Sequence, residues 1–304
     1  MKSAHTLILP LTLSCIFLCC DIANAQSATG SAEVSSGVEH DSNLNIPELN
    51  QNSRNSDTAV AVGGKFDGKW KATKRLTLNA GYRFSSKVYR RTPEYDLSLH
   101  QLSAEATYEL ALANVGMSRH YANASLDKRK FLTLQQTSIF AGKLIREKIY
   151  LRVAATTQDK QFACLAERNA NNHGMSGDAF VFFNEGRTFV NVGVAHENES
   201  TMAKVFNYTG NTIKTSFSHQ YHLWNIPQKL QLATRYSVRN YLGVNPEIDQ
   251  ARRDAEHVSE VAWEVSLTPT IAATTKVEYG NYHSNVSSAA FSAAKTSLNL
   301  SAQF

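Results

Sequence analysis

The chain has 304 residues, with 31 Lys+Arg against 26 Asp+Glu and a formal net charge of +5. That charge is small for the length and forms no basic block, which excludes a nucleic-acid binder. Cys15, Cys19 and Cys20 lie in the opening apolar run, so Cys164 stands alone in the rest; a disulfide framework and a cysteine metal centre are excluded there.

In chain order the first element is a leader. Lys2 and His5 precede an apolar stretch over 6–20, and Ala23-Asn24-Ala25 places alanine at both small-residue positions of a cleavage site. This pattern predicts a bacterial-type secretory signal peptide over 1–25, removed after Ala25. Leu18 before Cys19 breaks the small-residue run that lipidation requires. No later apolar run is long enough to form a membrane helix.

From residue 26 to 304 the sequence reads in twos. Leu76, Leu78, Ala80, Tyr82 and Phe84 alternate with Thr77, Asn79, Gly81 and Arg83. Stretches 230–238 and 294–304 repeat the alternation, which is the period of half-exposed strands. The segments run over 29–41, 56–70, 75–89, 95–109, 111–122, 130–143, 147–159, 173–184, 187–198, 209–222, 228–241, 255–267, 271–283 and 290–304. Each meets the roughly 9–11 residues that a tilted membrane-crossing strand needs. Pro47, Pro93, Pro227, Pro246 and Pro269 fall between them, as expected of a residue that cannot donate to a ladder. Short connections alternate with longer ones at 42–55, 160–172, 199–208 and 242–254.

These observations predict an all-β protein: a transmembrane, antiparallel, up-and-down β-barrel of about 14 strands, of outer-membrane type. Its setting is the outer membrane of a Gram-negative bacterium. An even strand count puts both termini on the short-turn, periplasmic side. Outer-membrane lipid is the surrounding partner, and no cofactor is implied. Trp70 and Trp224 are expected in the aromatic belt near the short turns. Tyr89, Tyr121, Tyr241 and Tyr282 are expected in the belt at the other rim. Strand parity points Arg83, Arg152, Arg235, Arg239, Lys276, Glu278 and Lys295 into the lumen, giving a mixed, mainly basic interior. That lining predicts either a mildly anion-preferring pore or a lumen filled by paired, hydrated side chains.

One stretch carries possible chemistry. His40-Asp41-Ser42-Asn43 has the His-x-Ser-Asn spacing found in outer-membrane lipid hydrolases. On a strand His40 and Ser42 share a face, here the outer one, as a base beside a nucleophile would. By alternation Asp41 and Asn43 face the other way, so no orienting partner is evident. The competing reading is a strand end whose Asp, Ser and Asn start a loop. His283-Ser284-Asn285 repeats the Ser-Asn pair with a spacing that puts His and Ser on opposite faces. The sequence therefore predicts no enzyme, with a Ser42/His40 lipid hydrolase as the minor alternative. The ten histidines are scattered and form no tight ligand set.

The segments GVEHDSNLN (37–45), YDLSLHQLSAEATY (95–108), RRDAEHVSEVAWEVS (252–266) and YGNYHSNVSSAAFSAAKTSLNLSAQF (279–304) together resemble the barrel of the surface lipoprotein assembly modifier family. The resemblance implies a 14-stranded barrel that helps a lipoprotein or related secreted cargo across the outer membrane. Characterised members carry a helical-repeat domain before the barrel, whereas here Gln26 to about Thr29 precede the first strand. The terminal Phe304 resembles the closing signature that barrel-insertion machinery reads. A porin-like channel or binding barrel for small solutes is the alternative function.

Overall fold

A computed structural model describes residues 27–46, 51–52 and 55–304; the predicted signal peptide lies outside them. The strands are β1 (Ser27–Asp41), β2 (Asn45–Ile46), β3 (Gln51–Asn52), β4 (Asp57–Lys71), β5 (Leu76–Tyr89), β6 (Leu97–Glu109), β7 (Asn114–Leu126), β8 (Arg129–Ile145) and β9 (Ile149–Phe162). They continue as β10 (Ala170–Phe183), β11 (Thr188–Thr201), β12 (Tyr208–Leu223), β13 (Ile226–Asn245), β14 (Gln250–Ser266), β15 (Ile271–Ser284) and β16 (Phe291–Gln303). The two-residue β2 and β3 form a small ribbon. The other 14 pair with their sequence neighbours into a closed antiparallel barrel, and β1 meets β16.

Closure follows from the solvent. No water reaches the backbone inside a bilayer, so every ladder group must find a partner and no edge can stay open. The seam is long: it runs from Glu33 opposite Gln303 to Asp41 opposite Lys295. Phe304 extends it, donating its N–H to Ala32 O at 2.8 Å while Ala32 N–H donates back at 3.0 Å.

Residues opposite one another in register share a face. Val34, Val38, Val60, Val62, Phe66, Leu298 and Leu300 form an exposed apolar surface around the seam. Around β7–β9 this outer band is shorter. There the positions nearer the long loops, Tyr121 apart, are Arg119, Asn123, Gln135, Thr137, Thr157 and Asp159. Arg119 donates to Gln135 Oε1 at 2.7 Å and to Thr137 Oγ1 at 3.4 Å. Trp70, Trp224 and Trp263 sit at or near the short-turn rim, where amphipathic rings suit the membrane interface.

Among the described residues, β1 starts and β16 ends on the short-turn rim. Some turns are tight. Asp127-Lys128 and Trp224-Asn225 close two-residue hairpins with both residues at positive φ, the twist that matches flanking strands. The longer loops share a brace. Asp96, Asn169 and Asn207 each stand just before a returning strand. Their side-chain oxygens accept the N–H of Tyr89, Phe162 and Thr201, the last residues of the preceding strands, each at 2.7 Å. Their main-chain oxygens accept from Asp127 and Met202, each just past the end of a neighbouring strand, and from Leu242 within β13.

All fourteen segments expected from the alternation appear as barrel strands. Two details differ. The expected loop at 242–254 is mostly ladder, because β13 runs to Asn245 and β14 starts at Gln250. Gly243 in this projecting hairpin is where the loop at 202–207 crosses: a Cβ there would stand 2.6 Å from Val205 Cα. Pro227, expected between strands, is the second residue of β13, near the strand end that tolerates a missing donor.

The barrel lumen as the candidate functional site

Alternation fixes the lining, and cross-strand register decides which side chains meet. Arg83, Arg152, Arg235, Arg239, Lys276, Glu278 and Lys295 all occupy the inner face. The expectation of a mainly basic interior is overturned. The same face carries Glu39, Asp41, Glu105, Asp178, Glu197, Glu199, Glu256 and Glu260, and these meet the bases. Arg235 lies 2.5 Å from Glu256, and Lys276 lies 2.7 Å from Glu260 and 3.6 Å from Glu278. Arg152 and Glu105 are 3.9 Å apart, as are Lys295 and Asp41. Parity marks these acids as clearly as the bases, so the signal was present in the sequence.

The wall formed by β9–β14 is knit by a network around two glutamates. Glu199, largely buried, accepts from Lys160 at 2.5 Å, Tyr208 Oη at 3.1 Å and Asn172 Nδ2 at 3.2 Å. Glu197 accepts from the same tyrosine and asparagine, and Arg239 lies 3.9 Å away. The Arg239 guanidinium stands 5.0 Å from the Tyr208 ring centre, and Arg252 stands 5.0 Å from that of Tyr241. Charges removed from bulk water this way hold only when paired and hydrogen-bonded.

The tyrosines expected in the outer belt need correction. Tyr121 faces outward. Tyr89, Tyr241 and Tyr282 face the lumen instead. Tyr89 Oη donates to Asp41 at 2.6 Å, Tyr241 packs on Tyr208, and Tyr282 stacks on Phe291 with centroids 4.3 Å apart. Position near a strand end suggested the belt; parity places three of the four rings inside.

His40 and Ser42 are not brought into hydrogen-bond contact with each other. His40 Nδ1 lies 3.0 Å from Thr58 Oγ1 across the β1–β4 ladder. Ser42 continues the ladder toward β16. Its N–H donates to Ala294 O at 2.9 Å, and its Oγ accepts the Ala294 N–H at 2.8 Å. Asn43 Nδ2 donates to Ser292 O at 3.2 Å. His40 is one of a class of outward histidines bonded across strands: His219 meets Thr188, His257 meets Thr234, His196 meets Asn211 and His100 meets Tyr82. Each satisfies its polar ring against a neighbouring strand, which needs no catalytic role. Ser42→Ala is expected to leave the lipid composition of the outer membrane unchanged and to cost about 1 kcal/mol from one lost hydrogen bond. Mass spectrometry of membrane lipids checks this, and a lysolipid that disappears with the hydroxyl would revive the hydrolase reading.

With strands, seam and lining in place, known proteins supply the comparison. The family model for the surface lipoprotein assembly modifier matches residues 24–304. The chain belongs to that family. Among solved structures, an anion-selective porin from Comamonas acidovorans superposes with a TM-score of 0.52 at 8% identity, covering 91% of this chain and 99% of the porin. OmpT, an outer-membrane protein of Vibrio cholerae, gives 0.52 at 8% identity, over 91% of this chain and 97% of its own. At such identities the likeness is one of fold. A search of the curated proteins finds no match. This member of the surface lipoprotein assembly modifier family is thus an outer-membrane β-barrel with a self-paired charged lumen. The GVEHDSNLN segment that suggested the family is the seam strand and its exit, and Phe304, an exposed residue, lies on the other side of that seam.

Proposed function

We propose that this barrel helps deliver a lipoprotein, or a related secreted cargo, to the outer face of the outer membrane. It does so without catalysis, with both termini and the short-turn rim in the periplasm. The observation that carries this reading is the surface lipoprotein assembly modifier match over residues 24–304. The lining agrees with it. Selective pores concentrate charge of one sign. Here Arg152, Arg235, Arg239, Lys276 and Lys295 are met by carboxylates, a lining suited to a polypeptide of mixed charge. Phe304, closing the seam with its ring outward, supports a role as the signal read by the barrel-insertion machinery.

The test is surface display. In a strain lacking the protein, at least one lipoprotein is expected to lose most of its surface labelling while its total amount persists. An unchanged surface proteome overturns the reading. A second reading, a channel for small anions, is favoured by Arg83, which faces the lumen without an ion pair among the described residues. Conductance in planar bilayers would support it, and a silent barrel would remove it.

A further inference from the structure

The lumen has a leucine-rich region where its polar lining gives way. In the half nearer the long loops, inward positions of β6–β8 are Leu97, Leu99, Leu126, Leu132 and Leu134, and Ile46 from the ribbon joins them. Leu165 and Phe162 cover part of this surface as a small core. The rest lines a cavity of 720 Å³, within the size range of small-molecule sites. An inner face needs no apolar residues to meet lipid. The inward rings elsewhere are already engaged, Phe140 under Arg152 and Phe180 against Tyr150 and Phe182. These leucines instead line open space, so they call for an occupant.

The polar end of the same cavity is distinctive too. Arg83 stands opposite Gln101 across β5 and β6, and His120 stands opposite Ser103, one pair further along. Among the described residues, Arg83, Gln101 and His120 make no ion pair and no side-chain hydrogen bond. Every other Lys or Arg lining the cavity is matched: Lys65 by Asp67 at 2.6 Å, Lys87 by Glu39, and Lys295 by Asp41 at 3.9 Å. The cavity therefore joins one free guanidinium, two free polar groups and an apolar wall.

We propose that this cavity binds a single-chain amphipathic anion, an alkyl carboxylate or alkyl phosphate. Its head group meets Arg83 with Gln101 and His120 alongside, and its chain lies on the leucines. A guanidinium offers two parallel donors to either head group. A small soluble anion leaves the leucines unused, and a neutral chain leaves Arg83 unused. The site does not depend on the export reading, since a barrel with no cargo could still hold the ligand.

The test uses the mature barrel in lipid nanodiscs, titrated with radiolabelled palmitate and, separately, hexadecyl phosphate, with binding to empty nanodiscs subtracted. Saturable binding of at least one of them at one per barrel is expected. Arg83→Gln should weaken it at least tenfold, and neither inorganic phosphate nor hexadecanol should compete. Binding of one probe alone identifies which head group the site takes. Because Arg83 has no partner to lose, the variant should fold, which an unchanged mobility shift between boiled and unboiled samples checks. Absence of saturable binding, or equal affinity in a folded Arg83→Gln barrel, overturns the proposal.

Discussion

Gly37→Val is expected to stop the barrel from closing. Gly37 sits in the seam opposite Asn299, and a Cβ there would stand 2.8 Å from Asn299 Cα and closer still to the Leu298 carbonyl oxygen. Both are backbone, so a rotamer change cannot relieve the contact. The ladder must part where β1 meets β16. An opened seam leaves two rows of unpaired N–H and C=O groups in lipid, each costing several kcal/mol. The measurement is the mobility of unboiled protein on a denaturing gel, with protease sensitivity in intact cells. The variant should show no folded band. Gly30→Val is the control in the same strand, because its nearest neighbour beyond the adjoining residues, Asp67 O, lies 3.7 Å away. A normal folded band for Gly37→Val would mean that the close approach at the seam is not required.

The second large effect is expected at Glu199. Replacing it with leucine strands Lys160, whose ammonium is mostly shielded from water, and leaves Tyr208 and Asn172 with Glu197 alone. Removing one partner of a buried pair costs about 3–5 kcal/mol, whereas replacing both with apolar groups often costs far less. Glu199→Leu should therefore destabilise the refolded barrel by about that amount in denaturant titration. The double variant Lys160→Met/Glu199→Leu should recover most of the loss. If the double variant is as unstable as the sum of the single ones, the two residues act independently and the pairing is not what stabilises this wall.

Both effects rest on register, the part of the structure least legible from sequence. The strands themselves were plain, because lipid on one face and water on the other impose alternation. The expected loop at 242–254 shows the limit of that signal. The projecting hairpin of β13 and β14 resumes its ladder at Val244 opposite Ala251 after an irregularity beyond Asn240, while Arg252, Arg253 and Asp254 follow one another without an apolar beat. Where both faces meet water, pairing continues but alternation fades. Parity placed Arg83, Arg152 and the other lining residues on the inner face. It could not join Lys160 on β9 to Glu199 on β11, since that pair reaches across β10 and depends on how three strands are staggered. The loop braces had a readable mark, an Asp or Asn just before each returning strand at 96, 169 and 207. Its meaning depends on the preceding strand ending within reach.

The short apolar band around β7–β9 has a consequence beyond the protein. A hydrophobic surface that is taller near the seam than beside Arg119 cannot match a bilayer of uniform thickness. The membrane must thin next to β7–β9, or the whole barrel must lean until the two sides share the mismatch. Lipids on that flank are then compressed and more easily disordered than those at the seam. The barrel shapes the membrane unevenly and marks one side of itself as the weaker wall of the bilayer.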